Sequence, residues 1–494
     1  MTGIIQSSDR KPLTAIGSFG AVDADADVLL DACFQDHDAY VSVRDMRSFL
    51  ILGRKGSGKT AIYKRIVEGR SQDAFQIGYS FDDYPWSHHD LQAENGVPEE
   101  RRYIHSWRYL ILLGLAKILL NDDQSQPWSE ESAEAMEALE SFVIDSYGSR
   151  NPEFNQLFSP ERELHFKGRF GFRVLDVEME RVRVRELPIH IQAVNAKMQE
   201  AVLAALNPDI RYYVCFDQLD LGFTVQDARY AQRLTGLIIA ARDLFVRAKG
   251  RGKALNPVVL LRDDIYQDLQ FEDKNKITEN YATRVLWTDS RTGLTLRSLM
   301  ESRFAEALAD GDREVKWEDV FDESREMPSR QSKYRHISDR TFLRPRDIIK
   351  FCNEVLVAHG RNNPDGEKFD NEAVHAARDA YSDYLLNELD DEMAKHVPRY
   401  KEYLEVLKSV GAEKFTLEQF SASLGQRVGF KSEEALSALA ELFEFSVVSY
   451  LKPGGRGGGS EYVWRYKDPR ARFDSTVESF RVHPGLKEAL DLTR

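Results

Sequence analysis

The chain has 494 residues, 42% of them hydrophobic, and its 67 Lys and Arg against 81 Asp and Glu leave a net charge of -14. That length and apolar content give room for roughly two to four domains with substantial cores. A pI near 5.4 excludes indiscriminate nucleic-acid binding through bulk charge, although a local basic face can persist on an acidic protein.

Cys33, Cys215 and Cys352 lie far apart with no C-x-x-C spacing. This speaks against a zinc site or a disulfide framework and fits a reducing, cytoplasmic setting. The longest apolar run, 110–120, is broken by Lys117, and residues 1–13 lack an apolar signal core. Neither a membrane span nor export is expected.

The first informative elements are an apolar run at 48–52, read as a buried strand, and a helical stretch from Ala61 onward. Between them Gly53, Arg54, Lys55, Gly56, Ser57, Gly58, Lys59 and Thr60 complete the P-loop pattern G-x-x-x-x-G-K-[ST]. Glycines at 53, 56 and 58 let the backbone turn and aim N–H groups at phosphate oxygens, and the helix N-terminus adds partial positive charge. In this reading residues 53–61 cradle a nucleoside triphosphate, Lys59 reaches its β- and γ-phosphates, and Thr60 ligates Mg²⁺. The bland alternative is a glycine-rich turn with no ligand, and the intact strand and helix on either side count against it.

A second strand is expected at 75–81 and a helix at 101–120. His88 and His89 have no second ligand pair at useful spacing and read as a solvated loop. Residues 121–208 read as an insertion, with helices near 131–147 and 189–206 and strand-like alternation at 170–184. The run at 212–217 is an apolar strand ending in Asp217-Gln218-Leu219-Asp220. It has the form of a Walker B strand, with Asp217 on the metal and Asp220 the candidate to position the attacking water. A packing helix follows at 226–247, then a basic loop at 249–253. The strand at 257–262 delivers Arg262 to the sheet edge, either to sense the γ-phosphate or to pair with Asp263 or Asp264. Residues 284–287 are the expected fifth strand. Asn275-Lys276-Ile277-Thr278 lacks the Asp of a guanine-reading N-K-x-D, so adenine is the expected base.

From 294 the pattern turns helical, at 294–308 and 371–395, in the manner of a lid. In Phe342-Leu343-Arg344-Pro345-Arg346-Asp347 the proline opens a helix and puts Arg346 in its first turn, placed to swing onto a triphosphate. Arg303 is a weaker candidate for that role. The last hundred or so residues give helices at 400–410, 416–424 (capping box Thr416 to Gln419) and 433–445. Strand-like runs at 446–451 and 461–466 follow, joined by a glycine-rich linker, which is the pattern of a winged helix. Arg456, Arg465, Lys467, Arg470 and Arg472 around this hairpin form a candidate DNA contact, weighed against protein binding because the 433–445 helix is acidic.

In this order the P-loop, Asp217 to Asp220, Leu261 to Tyr266, Arg344 to Arg346 and the winged-helix pattern resemble the AAA+/STAND branch of P-loop ATPases. Within that branch the chain is similar to a mostly uncharacterised bacterial P-loop ATPase family of KAP-like and origin-recognition-like flavour. The resemblance implies an α/β core with a parallel sheet of order 5-1-4-3-2 (residues 1–289), a helical lid (290–396) and a C-terminal winged helix (397–494). It also matches Arg262 to the sensor-one position and Arg346 to the sensor-two position. One departure stands out: Gln218 occupies the place of the usual glutamate after the Walker B Asp, so a catalytic carboxylate must be Asp220 or be missing. The expected function is a Mg-ATP-dependent ATPase switch with slow turnover, acting with a protein partner or a second copy, in bacterial defence or mobile-element biology. Two alternatives stand beside it: a DNA-engaging ATPase working through the wing, and a non-hydrolysing, nucleotide-bound scaffold.

Overall fold

A computed structural model of the protein describes residues 11–69, 71–81, 102–122, 124–152, 163–165, 172–174, 177–179, 181–183, 187–220, 228–288, 294–308, 314–427, 429–454 and 459–493. They form two compact units. One contains Asp36–Arg54 and Lys59–Val285, and the other contains the described residues of Met1–Gln35, Lys55–Gly58 and Leu286–Arg494.

The first unit is built on a five-stranded parallel sheet. Its strands are β1 (Leu50–Gly53), β2 (Ala74–Ser80), β7 (Arg211–Asp217), β8 (Ala254–Arg262) and β9 (Ala282–Arg284), in the order β2-β7-β8-β1-β9. Four short strands intervene in the chain as two antiparallel pairs: β3 (Glu163–His165) with β6 (Arg181–Arg183), and β4 (Phe172–Val174) with β5 (Val177–Met179). In β1, and in β7 and β8 beyond their first residues, every residue is buried, as expected where helices cover both faces of a parallel sheet. Helices Arg102–Asn121 and Ala228–Gly250 pack together, and buried Trp107 donates its indole N–H to the Arg233 carbonyl at 2.9 Å. Helices Glu130–Tyr147 and Leu187–Ala205 bury Leu139, Phe142, Val194 and Met198 in the same hydrophobic core. The segment read as an insertion thus completes this core. The fifth strand lies two residues earlier than expected, and the ladder beyond it continues only through the Val285 N–H to the Leu52 carbonyl.

In helix Arg102–Asn121 the Tyr103–Asn121 segment is long and apolar enough to cross a membrane by length and composition. In the structure 72% of that window is buried inside the protein, which is the environment of a core helix.

The second unit has its own core. Helices Leu296–Leu308, Pro345–Asn362 and Asn371–Met393 enclose Phe304, Phe351, Val355, Tyr381 and Leu385. Leu13, Ile16 and Phe19 join this cluster, with the Phe19 ring edge-on to Phe304 at 4.9 Å. The described residues up to Gln35 therefore pack here and not with the α/β core to which the 1–289 boundary assigned them. The same cluster continues into helices Tyr400–Val410, Leu417–Gly425 and Ala435–Glu444 and into an antiparallel sheet. Its strands are β10 (Lys414–Thr416), β11 (Val448–Lys452), β12 (Glu461–Val463) and β13 (Ser479–Val482), in the order β10-β13-β11-β12. The hairpin strand β11 starts two residues later than read from the sequence, and β12 starts where expected but ends after three residues. β13, which alternates buried Phe480 and Val482 with half-buried neighbours, was not anticipated at all.

Candidate functional site

Parallel register brings the C-terminal ends of the α/β strands to one edge. Gly53 pairs with Arg262 and Ser80 with Asp217, so the ends of β1 and β8, and those of β2 and β7, lie side by side. Open α/β sheets bind ligands at this edge.

Helix Lys59–Val67 begins directly after the glycine loop. The Lys59 ammonium donates to the carbonyls of Gly53 at 3.0 Å and Arg54 at 3.2 Å. Burial pushes its pKa below the ordinary lysine value, while Asp220 and Asp217 pull the other way. Asp217 is 3% exposed and accepts a hydrogen bond from the Thr60 hydroxyl. Burial raises its carboxyl above the usual range despite the Gln218 N–H, Lys59 and Thr60. One of its oxygens, Oδ2, is buried with no hydrogen-bond partner among the described residues, an expensive state for a carboxylate.

Gln218 adopts φ 58°, a conformation uncommon outside glycine, and its side-chain oxygen accepts from the Ser80 hydroxyl at 2.8 Å. The residue in the glutamate's place is thus turned toward the end of β2. Arg262 is 4% exposed; its Nε donates to Asp264 at 3.1 Å, and Nη1 lies 3.3 Å from Asp220. The pairing weighed in the sequence is therefore present through Asp264, while Asp263 turns to Arg284 at 3.2 Å. Asp220 thus pairs with Arg262, Thr60 with Asp217, and both carboxylates act electrostatically on Lys59.

Within the second unit, loop residues 55–58 have their own partners. Arg344, 2% exposed, donates to the Lys55 carbonyl at 2.9 Å. Asp347 grips it through two bonds of 2.8 Å and Glu392 through one of 2.6 Å. Trp287 donates its indole N–H to the Ser57 carbonyl at 3.0 Å. The Lys55 ammonium reaches Asp391 at 2.7 Å. Arg346 lies against the loop, so a methyl added to Gly56 would sit 3.0 Å from its Cδ; its guanidinium bonds Glu388 at 2.9 Å and the Val22 carbonyl at 3.1 Å. Arg344 went unread in the sequence. Its one local signal is Asp347 three residues on, in the first turn of a helix that opens with Pro345.

Arg303 is corrected: it is buried and bound to Asp27 at 2.6 Å and to the Phe19 carbonyl at 2.9 Å, which makes it a packing ion pair. Of the wing cations, Arg465 is taken up by Glu444 and the Ala471 carbonyl, both at 3.0 Å, whereas Lys467, Arg470 and Arg472 are exposed. Arg456 lies outside the described residues, as do His88 and His89.

Among the described residues no three His, Cys, Asp or Glu side chains gather as a metal cluster. Mg²⁺ does not require one, since it binds through one or two carboxylates together with phosphates and water. The unpartnered Asp217 Oδ2 next to the Thr60 hydroxyl is a donor set of that kind.

Residues 294–390 match the family described as the FunZ-associated C-terminal helical domain. That span holds Arg344, Arg346, Asp347 and Glu388 and ends just before Asp391 and Glu392. No curated protein matches the chain.

Proposed function

We propose that this protein is a P-loop ATPase that binds Mg-ATP and uses it as a conformational switch. The observation that carries the reading is the buried Asp217 carboxylate beside the Thr60 hydroxyl, whose Oδ2 has no partner among the described residues. The strand order β2-β7-β8-β1-β9 supports it as well, because it sets the strand ending in Asp217 two places from the strand that feeds the loop.

In this reading Lys59 leaves the carbonyls of Gly53 and Arg54 for the β- and γ-phosphate oxygens, and the loop N–H groups hold the remaining charge. Thr60 and Asp217 are the residues that hold Mg²⁺. A Mg²⁺ held by them would supply positive charge against that developing on the phosphate oxygens. Asp220 is the carboxylate left to orient the water that attacks the γ-phosphorus. With Gln218 turned away and Asp220 shared with Arg262, slow turnover is expected. Arg346, which lies against Gly56, is the candidate to reach a phosphate after leaving Glu388. A switch further requires that triphosphate and diphosphate states differ in free energy, which the change in phosphate contacts provides.

The test is calorimetric titration with Mg-ATP. Wild type is expected to bind, and Lys59→Ala to bind at least about a hundredfold more weakly, as for loss of charge-assisted bonds to phosphate. Unchanged binding by Lys59→Ala would remove the site assignment.

A further inference from the structure

The two loop glycines with left-handed backbone, Gly56 at φ 75° and Gly58 at φ 105°, each follow a carbonyl that is captured from outside the loop. The Lys55 carbonyl accepts from Arg344 at 2.9 Å, and the Ser57 carbonyl accepts from Trp287 at 3.0 Å. In a trans peptide the C=O and the following N–H point in opposite directions, and no peptide among the described residues is cis. Capturing these two carbonyls therefore turns the N–H groups of Gly56 and Gly58 away from Arg344 and Trp287, as donors for another acceptor.

The captor is itself held. Burial opposes the Arg344 charge, but Asp347 and Glu392 outweigh it, so the guanidinium stays ionised. Asp347 is fully buried, and its Oδ2 also accepts from the Phe342 N–H at 2.9 Å, which fixes the carboxylate. A guanidinium fork gripped on two sides has little freedom to follow the loop; the loop must conform to it.

We infer that Arg344 and Trp287 are the positioning residues of the phosphate loop: by holding the carbonyls of Lys55 and Ser57, they present the N–H groups of Gly56 and Gly58 to a phosphate. The inference rests on the nucleotide reading above. It assigns the loop's geometry to residues 230 and 289 positions downstream. It also couples the helix that carries Glu392 to the cradle, since loss of that carboxylate loosens the guanidinium that holds Lys55.

The experiment uses the full chain as wild type, Lys59→Ala, Trp287→Phe, Arg344→Lys and Glu392→Gln. Each is followed by hydrogen–deuterium exchange of loop amides without nucleotide, by titration with Mg-ATP, and by thermal melting. Trp287→Phe keeps the ring and loses only the donor. Its Gly56–Lys59 amides are expected to exchange faster and its Mg-ATP affinity to fall about tenfold, the loss of one hydrogen bond's orientation, at an unchanged melting temperature. Arg344→Lys is expected to do the same more strongly, and Glu392→Gln reports on the same anchor should Arg344→Lys not fold. Loop exchange and Mg-ATP affinity matching wild type in both Trp287→Phe and a folded anchor variant would overturn the proposal. If Lys59→Ala binds Mg-ATP like wild type, or wild type fails to bind, it is the nucleotide reading that falls, while the exchange data still decide whether these residues set the loop.

Discussion

At the residue scale, Asp217 is a buried carboxylate whose Oδ2 has no partner among the described residues. Its carboxyl is raised above the ordinary range by burial. A raised folded-state pKa stabilises the fold fully at pH below the unfolded carboxylate value, and the contribution is lost as pH rises through the folded value. Above the unfolded carboxylate value the buried, half-partnered group is therefore a net burden on the ligand-free fold. Asp217→Asn should raise the melting temperature without nucleotide at neutral pH, by an amount that vanishes in acid. The same variant should lose the additional stabilisation that Mg²⁺ gives with ATP, and thermal melts across pH with and without Mg-ATP check both halves. Lys59, Thr60 and Asp217 were readable in the sequence because each sits in a pattern only a few residues long. Arg344 was not, because its partners at Lys55 and Glu392 are remote in sequence and only Asp347 is close.

Elements in this protein meet through small residues as much as through large ones. Gly236 lies in the middle of helix Ala228–Gly250, and a methyl there would come 2.6 Å from Tyr103 Cβ and 3.0 Å from its backbone carbon. Backbone cannot swing aside as a flexible side-chain end can, so Gly236→Ala must push helix Arg102–Asn121 away. We expect a loss of about 1–3 kcal/mol by the cost of overpacking, measured by denaturant unfolding with the m-value held. Helical periodicity and apolar runs revealed the long helices and strands to within a few residues. Two short strands were harder: β9 has three residues and is only half-buried, and β13 has four within a polar stretch. Such segments carry too little local signal, and they become strands because β1 in one case, and β10 and β11 in the other, offer unpaired edges.

For the whole molecule, two hydrophobic cores in two compact units imply two cooperative unfolding events. Scanning calorimetry should resolve two transitions, with Mg-ATP raising the one that belongs to the α/β unit carrying Lys59 and Asp217, through linkage to binding. In Lys59→Ala both transitions should stay where they are on adding Mg-ATP; a single transition indifferent to nucleotide in wild type would contradict this division.

The chain's order of residues was enough to declare a glycine-rich loop between a buried strand and a helix, an acidic strand end, a helical region and a terminal helix-and-hairpin unit. All of these are written in spacings of a few residues, where backbone propensity and side-chain period act locally. Folding in three dimensions settled what no spacing encodes: that residues 121–208 close the first core, that Phe19 belongs with Phe304, that β13 enters between β10 and β11, and that Arg344 grips Lys55. Those contacts join positions tens to hundreds of residues apart. They form because buried apolar area and buried charge must each find a partner, and which partner is within reach depends on how the whole chain has already closed.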